Sequence, residues 1–99
     1  MEGKPMLKFT GNREQKNALE GLAYRIADNS YMIEMYGKEN AKTELQENHK
    51  TIIGLFEKLD QLQVPFWVQN TVIFYFEDWR KYKTEYFTAA MEKKNICFI

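Results

Sequence analysis

The chain has 99 residues, 44% hydrophobic and 28% charged, with fourteen basic side chains against fourteen acidic. That length predicts one domain with a single core, and a net charge of +0 gives no global field to draw the molecule to nucleic acid or anionic lipid. One cysteine, Cys97, excludes an internal disulfide and a thiolate metal site, and a lone thiol fits a reducing compartment. The N-terminal residues lack an apolar leader pattern, and no run approaches about 18–20 apolar residues. The expectation is a cytoplasmic protein without a membrane partner.

Residues 1–11 read as an extended tail around Gly3, Pro5 and Gly11. Asn12 and Gln15 have the spacing of a capping box. Leu19, Leu22, Ile26 and Ile33 then recur at helical spacing, widened by Ala23 and Ala27. Gly37 suits the residue just past a helix end, where positive φ is common. This predicts a first helix near 13–36. Asn40 is a candidate cap for a second helix near 41–63, whose stripe is Leu45, Ile52, Phe56 and Leu59. Pro65 bounds it, because proline pushes Val64 out of the helical region and suits the first turn of a following helix.

Nine of the 22 residues from Phe66 to Phe87 are aromatic. The Val72–Phe76 run has strand propensity, and a buried strand is the alternative there. Trp79, Tyr82, Tyr86 and Ala90 continue at spacings of three and four, with polar residues between and no Gly or Pro from 66 to 94. One long helix near 65–93 is preferred. The predicted fold is therefore all-α: a three-helix antiparallel, up-down-up bundle with a long aromatic-rich third helix. Residues 1–11 and 95–99 form extended tails, and Ile96–Ile99 can dock on the bundle or pair with Met6–Phe9 as two short strands.

On a helical wheel, Val68, Tyr75, Phe76, Trp79, Tyr86, Phe87 and Ala90 share one broad core-facing side. Trp67 and Phe74 lie opposite, and Phe66 and Ile73 widen that second apolar surface. Two neighbouring helices cannot wrap a third completely, so something else must cover Trp67 and Phe74. The terminal tails, a second copy of the chain, another protein or a ligand are the candidates.

Chemistry-bearing patterns are sparse. The only histidine, His49, lies near the Leu45–Ile52 stripe and reads as a boundary residue. Its neighbour Glu47 has the wrong spacing for a carboxylate–histidine metal pair on one helix face. The glycines do not cluster as a phosphate loop does. Gly21 and Gly54 sit inside helices, either for close packing or as tolerated costs. The carboxylates alternate with polar neighbours as on a solvated face. No catalytic constellation, metal site or cofactor is expected.

Two function classes remain, with a third behind them. The first is a regulatory or accessory protein that binds another protein or a second copy of itself through Phe66, Trp67, Ile73 and Phe74, with Trp67 as anchor. The second is a nucleic-acid-associated regulator using Arg80, Lys81 and Lys83, which interleave with Trp79, Tyr82 and Tyr86. It is the lesser expectation, because Glu77, Asp78 and Glu85 dilute the charge. A ligand carrier or enzyme would need a cavity around Tyr24, Tyr75 or His49.

Overall fold

The computed structural model describes residues 7–99. Strand β1 (Phe9–Gly11) leads into α1 (Arg13–Asn40), α2 (Lys42–Gln61) and α3 (Phe66–Phe76). Two 3-10 turns follow, Trp79–Lys81 and Thr84–Tyr86, and then α4 (Phe87–Glu92) and β2 (Ile96–Phe98). The molecule is mostly helical, with four helices and two short strands among the described residues.

The capping box forms as the spacing predicts. Asn12 Oδ1 accepts from the Gln15 amide, and Gln15 Oε1 accepts from the Asn12 amide, both at 2.8 Å. Gln15 Nε2 also reaches the Leu62 carbonyl at 2.9 Å, which ties the start of α1 to the end of α2. Gly37 takes φ 82°, and the helix kinks there. A last turn continues to Asn40, so the helical stretch outruns the expected end. Asn40 does not cap α2: its Nδ2 donates back to the Tyr36 carbonyl at 3.0 Å, and the residue before α2 is Ala41, with no side-chain cap.

The end of α2 explains the joint to α3. Gln63 adopts φ 60°. The Val64 amide donates to the Leu59 carbonyl and the Gln63 amide to the Asp60 carbonyl, each at 3.0 Å. This is a Schellman closure. Its accompanying apolar contact positions, Val64 and Leu59, are both buried. Gln69 Nε2 then binds Asp60 Oδ1 and the Val64 carbonyl, both at 3.0 Å, and fixes α3 on the joint.

The expected long third helix is corrected. Val72–Phe76 is helical, but the helix stops at Phe76. Asp78 is extended, and its side chain accepts from the Arg80 amide at 3.1 Å. That short-range bond offers the backbone an alternative to helix, as Asp commonly does. Tyr82 and Lys83 are extended as well. The result is four helices rather than a three-helix up-down-up bundle.

Breaking the helix redistributes the aromatics expected on one face. Val68, Phe76 and Phe87 are buried. Tyr75, Trp79 and Ala90 are half-buried, and Tyr86 is exposed. Phe76 stacks on Phe87, and Phe87 on Phe98, with centroids 5.9 Å apart in each pair. This column carries the core from α3 through α4 to β2. Leu19, Leu22, Leu59, Met91 and Ile96 complete it, each fully buried. Burial of each such side chain contributes roughly 1.5–3 kcal/mol.

The termini do pair, though not where the sequence suggests. β1 and β2 run parallel, with Phe9 opposite Ile96 and Gly11 opposite Phe98. The expected partner segment began at Met6, which lies outside the described residues. A two-stranded ribbon is marginal alone. Here Ile96 belongs to the core cluster, and Phe9 and Phe98 pack against it.

α1 and α2 form a hairpin longer than its cover. Buried residues on α1 stop at Ala27, and on α2 they begin at Asn48. Residues 28–47 form a two-helix arm, and the molecule extends 50 Å along its longest axis. At the root of the arm, Arg25 Nη1 donates to Asn48 Oδ1 at 3.0 Å, and Asn48 Nδ2 to the Arg25 carbonyl at 3.1 Å.

Two stability outcomes follow. Asn48→Ala removes both side-chain hydrogen bonds that join the helices near the core and should cost about 1–3 kcal/mol, read as a lower midpoint in urea denaturation. Gly54→Ala should raise stability by roughly 0.5–1 kcal/mol. Gly54 is exposed in mid-helix, and an added Cβ meets nothing within 4 Å.

Candidate functional site

The outward side of α3 is the candidate surface. Its sequence, FWVQNTVIFYF, is apolar nearly all round. Val68, Val72 and Phe76 take the buried side. Phe66 and Phe74 stand out at 76% and 65% exposure. Trp67 and Ile73 behave differently: each is half-buried and packs against the core cluster. The exposed part of the expected four-residue surface therefore reduces to two phenylalanines two helical turns apart.

Among the described residues, the tails do not perform the covering role considered for them; Met6 and the residues before it lie outside that range. Phe98 goes to Phe87, and Ile96 goes into the core. Phe66 and Phe74 stay open to solvent with the ribbon docked elsewhere. Trp67, in the first turn of α3, reaches the core that its wheel position had placed behind it.

A shallow groove of about 380 Å³ runs beside Phe74, lined also by Thr71, Tyr75, Lys81 and Lys94. Lys81 Nζ sits 4.6 Å from the Tyr75 ring centroid, and Lys94 Nζ 5.7 Å. Such contacts keep an ammonium near a ring face while its charge stays accessible. Thr71 spends its hydroxyl on its own helix, donating to the Trp67 carbonyl at 2.7 Å. The groove thus presents apolar rings flanked by two cations.

The residues considered for nucleic acid are dispersed. Arg80 Nη2 lies 2.8 Å from Glu34 Oε2, and its guanidinium lies over the Trp79 ring at 4.5 Å. Arg80 Nη1 is also 3.8 Å from Asp78 Oδ1. Lys81 turns to Tyr75, and Lys83 lies 6.0 Å from the Tyr86 centroid. Trp79 is occupied too: its ring meets Tyr31 edge-on at 5.0 Å, and its Nε1 donates to Glu34 Oε1 at 2.9 Å. Trp79 and Arg80 are spent on α1, and the two lysines lie by separate rings, rather than being arrayed in one groove.

Other sites weighed from sequence separate similarly. Tyr24 packs on Tyr82, and Tyr75 on Phe76. His49 is exposed, at the root of the arm beside buried Asn48. Among the described residues no cluster of His, Cys, Asp and Glu could hold a metal ion. Among them, too, no helix is long and apolar enough to cross a membrane.

The clamp at Glu34 is the feature that sequence reading missed. Tyr31 and Glu34 are three apart on α1, but only the break at Asp78 brings Trp79 and Arg80 onto them. The indole hydrogen bond, and after it the Arg80 guanidinium, lower the Glu34 pKa below its ordinary 4.5. No protein-family model matches the sequence, and neither a curated protein nor a solved structure is significantly similar to it.

A lowered folded-state pKa stabilises the fold above the unfolded value and loses that effect as pH falls through the folded one. The clamp should therefore persist at neutral pH and release below pH 4.5. In a Trp67→Phe background, Trp79 fluorescence should change with a midpoint below that value. Glu34→Gln should remove the transition, and a transition unchanged in that variant would assign it to another group.

Proposed function

We propose that this chain is a regulatory or accessory protein that acts by binding another protein, with the outward side of α3 as the docking face. The observation that carries this reading is the exposure of Phe66 and Phe74, at 76% and 65%, on one side of an 11-residue helix. A pair of large rings two turns apart is the spacing by which a helix engages an apolar groove. Half-buried Trp67 and Ile73 would form the floor between them, and Lys81 and Lys94 a cationic rim. That arrangement of apolar centre and polar rim fits the usual anatomy of interfaces. Covering both rings would supply roughly 3–6 kcal/mol before the costs of association.

A nucleic-acid role through Arg80, Lys81 and Lys83 is the lesser reading. Arg80 is engaged by Glu34, and Trp79 by Tyr31 and Glu34. Binding a strand there would first have to undo the clamp.

Photo-crosslinking in cells tests the docking face. A photoreactive phenylalanine analogue in place of Phe66 or Phe74 should give adducts with one shared protein, identified by mass spectrometry. The same analogue at exposed Glu57, on α2, should not capture it. Phe66→Ser with Phe74→Ser should reduce that protein's affinity by tenfold or more, with the thermal midpoint unchanged or raised (about 1.4 kcal/mol per tenfold). Adducts no different from those at position 57 would refute the reading. An adduct with a second copy would make the partner the chain itself.

A further inference from the structure

The arm carries a second surface, made of different residues. A groove of about 540 Å³ runs between its helices, and every residue lining it belongs to α1 or α2. Ile33 and Leu45 form the apolar floor, and Lys38, Lys42, His49 and Lys50 stand around it. α3 packs against α1 at the base of the hairpin, and the Trp79 turn packs against Tyr31 and Glu34 of the arm. No residue of either lines this groove.

Charge on the arm is sorted by side. Asp28, Glu44 and Arg25 line the other groove of the hairpin, around Met32. Glu47 lies between the two grooves, and its carboxylate is 3.8 Å from Lys50 Nζ. On α2, the residues Lys42, Leu45, His49 and Lys50 fall on one face, while Glu44, Asn48 and Thr51 fall on the opposite one. Zero net charge over the whole chain thus conceals a cationic strip with an apolar seam.

We propose that this groove docks an acidic amphipathic helix of a partner protein. The shape comes from packing: two antiparallel helices with an uncovered apolar seam are completed by a third helix laid along it. The sign comes from the lysines, which match carboxylates flanking an apolar stripe. Nucleic acid would use the cations but not the seam. None of the lining residues is Phe, Tyr or Trp, so bases would find no stacking platform beyond the single His49 ring.

Fluorescence anisotropy with a designed probe tests this. The probe is a labelled peptide as long as α2, with a leucine stripe flanked by glutamates; a second probe carries lysines instead. The full-length protein should bind the glutamate probe and not the lysine probe. Lys42→Glu with Lys50→Glu should weaken glutamate-probe binding about tenfold or more and confer binding of the lysine probe. Both lysines are exposed, so the circular dichroism of that variant should match the parent. Leu45→Gln should weaken the glutamate probe without exchanging the preference. Phe66→Ser with Phe74→Ser should bind it normally, which separates this groove from the α3 face. Failure to bind the glutamate probe would overturn the proposal, as would binding that ignores the charge reversal. So would a single-stranded oligonucleotide that binds more tightly than the probe, or charge-dependent self-association seen in sedimentation.

Discussion

α1 spans 28 residues and α2 spans 20, but α3 offers only 11 and α4 six. A helix rises about 1.5 Å per residue, so the hairpin runs far beyond anything that the shorter elements can cover. The buried positions record this. On the two helices they cease at Ala27 and Asn48, and beyond those only Ala41, in the turn at the tip, is buried. Everything exposed on the arm, and the elongated shape, follows from that mismatch. The paired polar contacts of Asn48 with Arg25 close the core at the point where the apolar cover ends.

The mismatch depends on one residue's competition for the backbone. A helix running from 65 to 93 would have lain along much of the hairpin as a third rod. Asp78 stops it by binding the Arg80 amide. The chain then folds across α1, where Tyr31 and Glu34 receive Trp79 and Arg80. Helical spacing through Trp79, Tyr82 and Tyr86 suggested continuity because period alone does not register such a local bond. The signal lay in composition: Tyr82, Thr84 and Tyr86 have modest helix propensity, and Asp favours a cap over a helix interior. The first capping box, the positive φ at Gly37 and the stop at Pro65 were all legible, because each is set by residues within four positions. The parallel pairing of Phe9 with Ile96 was not, since its register is fixed by the stacking of Phe98 on Phe87 across the core.

The candidate surface was half legible for a similar reason. A wheel correctly sets Phe74 and Phe66 away from Val72, and both are exposed. It misplaces Trp67, because it assigns an angle to the Cα and ignores the reach of a large ring in a first turn. It also counted Trp79 and Tyr86 as core, an assignment that holds only while the helix continues. The arm groove had no signature in a single-helix reading. Ile33 looked like ordinary core stripe, and Leu45 likewise. They stay only half-buried because no third helix reaches them.

Electrostatics gives the two surfaces a common limit. With a net charge of +0, the protein exerts little attraction at long range. At physiological ionic strength, exposed charges act over about 8 Å. Lys81 and Lys94 beside Phe74, or Lys38, Lys42 and Lys50 along the arm, can therefore orient a partner already at the surface but cannot gather one from solution. Association would then be slow compared with electrostatically steered pairs, and affinity would rest on how long the buried rings and the apolar seam hold. Under that constraint, losing Phe74 or Leu45 should act mainly through faster dissociation, and losing a flanking lysine mainly through which partner is accepted.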